Sequence, residues 1–555
     1  MKLSGFLVGT LACTLFAACS NEENSAINSG QEEGQLSYVA VNIVNANPTG
    51  SRVEGGKYED GDPDENEITN ARFYLFKENG DAYELANSVE EWSANYVEKD
   101  LSGTPFDPEN DNVEEIVNAT LVFQGKDQEL PASIVAILNP PTTLGTSKLS
   151  LSDLQQKIDN YSASTKGYFI MTNSVYATGT TEKKEVVATD IVGKVAQSQP
   201  DAEANPVDIY VERVLAKVRV TFSNADKENQ YKVSEDGEPA VYAKILGWAV
   251  TRTADKSNLL KDIDPAWDDM TLGFTWNDEP FHRSYWATTP ATVTLEKKSQ
   301  DEIINDQKPA TPEGATNISV PRYCQENTKA DEHTEVVVVA QLVNEEGNPN
   351  PIYKYFGEEH DSEEDILTLI ANKYNNVYYT RTEGTSLPGG GTEYEYESFI
   401  TPDNIHFEAT TPETGGEDYE AIAQLDDDAL DGVTIYIENP DYTGSNEKYI
   451  ELADAEATIN KELAKNPAQI AKEGYVYYYT PIKHLGTTTG STGEYGVVRN
   501  HIYDVTITDI KGYGTPIFDP DKDIDTTHPS NEEVYIAASI NVLSWRVVSS
   551  NVTLE

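Results

Sequence analysis

The chain has 555 residues, with 95 Asp and Glu against 40 Lys and Arg, a formal charge of −55. That charge argues against nucleic acid and anionic membrane surfaces as partners, because phosphate binding needs the opposite sign, and it suits a soluble, self-repelling surface. The length allows two or more domains with separate cores, and the sequence holds no H-E-x-x-H, G-x-S-x-G, phosphate-cradling Gly loop or paired C-x-x-C, so no enzyme activity, metal or cofactor is expected.

The first nineteen residues read as a leader. Lys2 supplies a basic start, Leu3 to Phe16 an apolar stretch too short to span a bilayer, and Ala17–Ala18 the small residues before a cleavage point. The run ends in LFAAC, which resembles a bacterial lipobox with Cys19 as the lipidated first residue of the mature chain. An ordinary secretory signal cleaved near Ala18 is the alternative, and Cys13 is a weaker rival for the lipid. With those two in the leader, Cys324 is the remaining thiol, so no internal disulfide framework is expected; it reads as a small buried hydrophobe.

A polar tether, SNEENSAINSGQEEG, leads to an apolar strand at Leu36–Val44 and then to Pro48, Gly50 and Arg52. No Lys or Arg stands between Lys2 and Arg52, and Lys57 is the next. Loops of small polar residues are where proteases cut, so an Arg-specific protease meets its first mature-chain site at Arg52. A plain solvated loop Arg is the competing reading.

Alternation predicts strands at Ala71–Phe76, Thr120–Gln124, Ser133–Leu138, Val214–Phe222, Val336–Leu342, Tyr475–Tyr479, Ile502–Ile507 and Val534–Val542. Helices are predicted at Ser152–Tyr161, Ser362–Tyr374 and Asp454–Lys465, the first two opened by a Ser cap. The polar QSQPDAEANP near 195–206 reads as a linker, with a long strand at 207–222 beginning just after it. TSLPGGGTEYEYES (385–398) and DPDKDIDTTHPSNEE (519–533) read as loop-rich insertions. Many short strands, frequent turns and few helices point to β-sandwiches. The carboxylates Asp519, Asp521, Asp523 and Asp525 are spaced like a calcium loop but lack its central Gly and final Glu, so a solvated acidic linker is the preferred reading. The Tyr runs Tyr378–Tyr379 and Tyr477–Tyr479 suit a glycan platform, but Tyr is also simply favoured in strands.

Taken in order, the lipobox-like Cys19, the strand before Arg52, VERVLAKVRV (211–220), ILGWAVTRTADKSNLL (245–260), RSYWATTPA (283–291), RYCQENT (322–328), TEVVVVAQL (334–342), YVYYYTPIKH and VVRNHIYDVTI (498–507), and the final VYIAASINVLSW resemble the major shaft subunits of Bacteroidales type V fimbriae, on the minor-fimbria shaft pilin branch. The resemblance implies two transthyretin-like Greek-key β-sandwich domains with a few short helices. It divides the chain into a lipoprotein signal (1–19), a propeptide holding a removable first strand (20–52), an N-terminal sandwich (53–206) and a C-terminal sandwich (207–555). It also implies a homopolymer of identical or homologous subunits with anchor and tip partners, held at the outer membrane by the lipid until cleavage and then part of a surface fimbrium serving adhesion and biofilm formation.

On that reading the removable strand is a disposable sheet edge carrying Leu36, Tyr38, Val39, Val41 and Ile43. The donor is the C-terminal segment 534–555, with Val534, Ile536, Ala538, Ile540 and Val542 on one face of its first stretch and Trp545, Val548, Val552 and Leu554 in its second. The first stretch is expected to stay largely within its own domain and Trp545–Glu555 to cross. A fimbrial anchor or tip adhesin, a surface glycan-binding lipoprotein and a carboxylate hydrolase are the alternatives.

Overall fold

The computed structural model describes residues 36–44, 58–60, 65, 67–86, 92–93, 95–102, 116–125, 129–161, 169–178, 184–223, 229–234, 239–266, 286–307, 320–387, 391–410, 420–484, 492–526 and 535–546. Strand accounts for 45% and helix for 13%, so the chain is all-β with few short helices, as expected. In chain order come β1 (Leu36–Val44), β2 (Tyr58–Asp60), β3 (Asn70–Phe76), β4 (Tyr96–Asp100), β5 (Ile116–Gln124), β6 (Ser133–Leu138), β7 (Met171–Asn173) and β8 (Val207–Arg213), all but β2 belonging to the first sheet. Next come β9 (Leu215–Phe222), β10 (Val241–Thr251), β11 (Arg322–Gln325) and β12 (Glu335–Asn344). An inserted lobe adds β13 (Tyr379–Leu387), β14 (Gly391–Ser398), β15 (Tyr436–Glu438) and β16 (Tyr449–Glu451), after which β17 (Tyr475–Pro481), β18 (His501–Lys511) and β19 (Tyr535–Arg546) finish the chain.

The first sheet runs β4, β3, β6, β7, β8, β1, β5. Its two ends share one core: Val39, Val41, Leu121 and Phe123 from β1 and β5 cluster with Phe73, Leu75, Ile134 and Val135 from β3 and β6. The second domain is a sandwich. One sheet is β2, β19, β18, β9, β11; the other has β10, β12 and β17 in succession. Val218, Val505 and Ile507 of the first meet Trp248, Val338 and Tyr478 of the second. Strand β12 is apolar on both sides because both are covered: Val336 and Val338 face that core, while Val337 and Val339 meet Ile303 of the helix Gln300–Gln307 together with Ile517 and Ile524. An unbroken apolar run is what a doubly covered strand requires.

Three findings differ from the expectations. The run 207–222 is two strands, not one: β8 belongs to the first sheet and β9 to the second, and the chain crosses between them at Val214. The polar stretch before it holds a short helix, Gln199–Glu203, capped by Ser198. And 385–398 forms most of a β13–β14 hairpin with continuous pairing from Tyr379–Ser398 to Glu383–Tyr394. That hairpin belongs to a lobe inserted between β12 and β17, which are themselves neighbours paired at Gln341–Tyr475, and the lobe has its own core around Ile366, Ile370, Phe407 and Ile459. Caps fixed the helices: Ser362 accepts from the Asp365 amide to start Glu363–Lys373, and Ser150, rather than Ser152, caps Leu151–Gln155 in a reciprocal box with Asp153.

At the crossing between domains the chain buries charges in pairs. Lys261 Nζ lies 2.7 Å from Glu212 Oε2 and Lys217 Nζ 2.8 Å from Glu65 Oε1, all four nearly inaccessible. Arg499 pairs with Glu326 and donates to the Leu259 carbonyl at 2.9 Å. Burial pushes the Glu212 carboxyl up from its ordinary value, against the opposing pull of Lys261 and Arg499. Removing one partner of such a pair leaves an uncompensated buried charge, which costs about 3–5 kcal/mol. Lys261→Met is therefore expected to lose about that much by chemical denaturation, whereas Lys465→Met, which breaks an exposed pair with Glu462, costs about 1 kcal/mol or less; equal losses would refute the buried-pair account.

Candidate functional site

Strand β1 is the centre of the site. Along its whole length, from Leu36–Gln124 to Val44–Ile116, it pairs antiparallel with β5. On its other side Val41–Val44 pair in parallel with Val207–Tyr210 of β8. Where β8 does not reach, Tyr38 exchanges two backbone hydrogen bonds with Ala196, at 2.9 and 2.8 Å. Asn42 Nδ2 donates to Asp208 Oδ1 at 2.8 Å, tying β1 to β8 through side chains as well. The expected disposable edge is thus one strand in from the edge, because β5 lies outside it. A parallel neighbour drawn from residues 207–210 requires a long crossover, which local sequence does not announce.

Side-chain burial on β1 departs from simple alternation. Val39 and Val41 are sealed in the core at 0% and 1% exposure with Ser37 buried on the same face, and Ala40 on the opposite face is buried as well. The helix Gln199–Glu203 lies over that opposite face, and a crevice lined by Ala40, Asn42, Thr120, Gln199 and Glu203 separates the two. Leu36 is exposed and Tyr38 half-buried, and Ile43 lies in the ladder opposite Val117 and Ile209. Burying each Val contributes about 1.5–3 kcal/mol. Without β1 the sheet would hold two facing rows of unpaired backbone groups, on β5 and on β8, beside an apolar slot.

The second part of the site is the C-terminal strand. β19 pairs antiparallel with β18 from Lys511–Tyr535 to His501–Ser544, with a bulge between Ile507 and Asp509. Ile536, Ala538, Ile540, Val542 and Trp545 all lie within it, so the segment expected to begin crossing at Trp545 is continuous with the preceding strand. Its free side is covered at one end: Tyr58–Asp60 of β2 pair in parallel with Ser544–Arg546. β2 is the stretch that follows Arg52, and five residues on from it Glu65 is locked by Lys217 and by the Tyr323 hydroxyl, while its carbonyl accepts from Arg213 Nε at 3.0 Å. The acidic stretch before β19 is anchored as far as it is described. Ile524 is buried, Asp525 holds Lys297 Nζ at 2.6 Å, and Asp519 Oδ1 accepts from the Asp521 amide. Cys324 is buried, and burial pushes its thiol up to about 12. Cys19, Arg52, Val534, Val548, Val552 and Leu554 lie outside the described residues.

Comparison with known proteins bears on this C-terminal strand directly. Residues 470–551 match the family model described as major fimbrial subunit protein type IV, fimbrillin, C-terminal. This segment is fimbrillin-like. It takes in β17, β18 and β19, which contribute strands to both sheets of the second sandwich. No curated protein matches the chain in sequence. Among solved structures, the fimbrilin of Porphyromonas gingivalis W83 is 12% identical, with 94% of this chain and 99% of that one covered and a TM-score of 0.35. The tip fimbrial protein Mfa3 of Porphyromonas gingivalis is 13% identical over 92% and 100%, at 0.26. A fimbrial assembly protein of Parabacteroides distasonis is 11% identical over 55% of this chain and 81% of that one, with a TM-score of 0.27. At these scores the likenesses add nothing to the fold described above.

An unpartnered carboxylate in a sealed apolar site costs several kcal/mol. Val39→Asp should therefore speed hydrogen exchange at the amides of β5 and β8 while β18 keeps its protection, and Leu36→Asp, at an exposed position, should change neither. Equal effects of the two substitutions would remove β1 from the core.

Proposed function

We propose that this protein is a structural, non-enzymatic subunit of a cell-surface fimbrium, exported as an outer-membrane lipoprotein through Cys19 and assembled by proteolysis-triggered strand exchange. The observation that carries the reading is β1, hydrogen-bonded on both sides inside the first sheet yet joined to the rest of the chain only through the segment containing Arg52. Cutting after Arg52 severs the one covalent link and lets β1 leave with the lipid anchor. Two unpaired rows and an apolar slot are then a template for β-strand addition, since each buried unpaired group costs on the order of 1–3 kcal/mol.

The incoming strand is β19 of another subunit, running in the direction of β1 so that it is antiparallel to β5 and parallel to β8. Its sequence alternates Ile536, Ala538, Ile540 and Val542, matching a slot that is apolar on its core side. Leaving home, β19 gives up its ladder to β18 and its short pairing with β2; in the slot it gains ladders to β5 and β8 of similar length. Backbone hydrogen bonding is therefore close to balanced, and the apolar slot left open by cleavage sets the direction. Cleavage also shortens the arm before β2 to residues 53–57, freeing β2 to uncover the end of β19 while Glu65 keeps the new N-terminus attached. Adhesion and biofilm formation follow as properties of the polymer, with homologous anchor and tip subunits at its ends.

Limited digestion of the unlipidated chain with an Arg-specific protease is expected to cut after Arg52 and to yield heat-resistant multimers. Arg52→Ala should abolish both. Deleting Tyr535–Glu555, the whole donor strand with its tail, should leave cleavage intact and stop growth of the multimer ladder. Normal polymerisation of the Arg52→Ala chain would sink the proposal.

A further inference from the structure

The inserted lobe carries an aromatic face that nothing in the assembly scheme uses. On the sheet β14, β13, β15, β16, one face gathers Tyr394 and Tyr396 from β14, Tyr379 and Arg381 from β13, Tyr436 from β15 and Tyr449 from β16. Tyr396 and Tyr449 stack at 4.1 Å between ring centroids although their strands lie at opposite margins of the sheet. Tyr379 and Tyr436 are buried beneath them, touching Tyr449 and Tyr396 edge-on at 4.9 and 5.5 Å. Neither Tyr379 nor Tyr436 belongs to the core of the lobe, so the face points away from it.

Arg381 sits on top of these rings. Its guanidinium lies 4.1 Å from the Tyr394 ring centre and 4.7 Å from that of Tyr436, with a side-chain hydrogen bond to Tyr396. It is exposed and forms no ion pair with a carboxylate among the described residues. In a chain of net charge −55, where the neighbouring cation Lys448 is turned to Glu438 at 3.7 Å, an Arg held by rings alone is unusual. Stacking uses the flat faces of a guanidinium and leaves its in-plane N–H groups to donate as a fork, which fits a carboxylate. Around it, Glu383 and Glu438 share the face and offer acceptors.

We propose that this face binds a carbohydrate bearing a carboxylate, of the sialic or uronic acid type. The Tyr394 ring offers an apolar surface to the carbon face of a sugar, the Arg381 fork takes its carboxylate, and the flanking Glu residues accept from its hydroxyls. The charge pattern separates this ligand from an acidic peptide or a second copy of the chain. One cation among several carboxylates accepts one anion on an otherwise neutral, hydroxylated molecule, and repels a partner dense in negative charge. Neither of the Tyr runs prominent in the sequence supplies the platform whole. Tyr477 and Tyr478 are sealed in the sandwich and Tyr378 in the lobe core, and only Tyr379 joins the face. The inference is independent of strand exchange.

Isothermal titration of the full chain with sialyllactose, trigalacturonic acid, maltotriose and a hexaglutamate peptide tests it. At least one carboxylated sugar should bind, the stronger of the two identifying the source, with maltotriose about tenfold weaker for want of the charge-assisted fork. Arg381→Gln should erase that preference, and Tyr394→Ala should weaken all the sugars, with unchanged near-UV circular dichroism showing that both variants fold. Binding of hexaglutamate as tight as that of either acidic sugar, no sugar binding at all, or an Arg381→Gln chain that keeps the preference would overturn the assignment.

Discussion

Backbone hydrogen-bonding capacity is the constraint on which the rest of this structure depends. Every peptide group that leaves water must find a partner, and β1 meets that demand for two neighbours at once. It satisfies β5 along its length on one side, and on the other it pairs with β8 through Val41–Val44 and with Ala196 through Tyr38. A strand at the outer edge would leave one unsatisfied row when lost, and that row could face solvent. A strand one place further in leaves two rows facing each other across a slot that water fills poorly, because its floor is Leu121, Phe123 and Ile209. The interior position makes the vacancy costly, and a costly vacancy is a specific one.

The buried ion pairs have a complementary role. Glu212, Lys217, Lys261, Glu65, Glu326 and Arg499 concentrate where the chain passes from the first sheet to the second. Such pairs add little net stability compared with apolar packing, but their geometry fixes how the elements that contribute them meet. Lys217 and Arg213 both hold Glu65, so the strand crossing between domains also grips the segment downstream of the proposed cleavage site. Under the proposed cleavage, the new N-terminal segment would be held by these two charges as well as by β2.

Much of the architecture was legible because the patterns that produce it are local. Alternation located Ala71–Phe76, Ser133–Leu138 and Tyr475–Tyr479, and the Ser362 cap placed its helix to the residue. What escaped was non-local. The break at Val214 is invisible in a run whose apolar positions continue on both sides, and the charges beside it, Glu212, Arg213 and Lys217, look solvated in sequence although partners from distant segments bury them. The interior place of β1 depends on residues 196–210, far along the chain. The stretch 385–398 misled because its glycines suggest a loop, while the signal that it is a strand, Tyr394 and Tyr396 alternating with Glu393, Glu395 and Glu397, was short and polar on one face.

The lobe between β12 and β17 leaves and re-enters the sandwich through strands that are already paired, at Gln341 and Tyr475. To the sheet it amounts to an overgrown hairpin turn, since a tight connection could close the same gap without disturbing the ladder. Loops whose ends are held together this way tolerate length and sequence change at small entropic cost. Drift in this cassette is therefore uncoupled from the strands proposed to join one subunit to the next, and related chains could alter what they present outward while remaining able to share a filament.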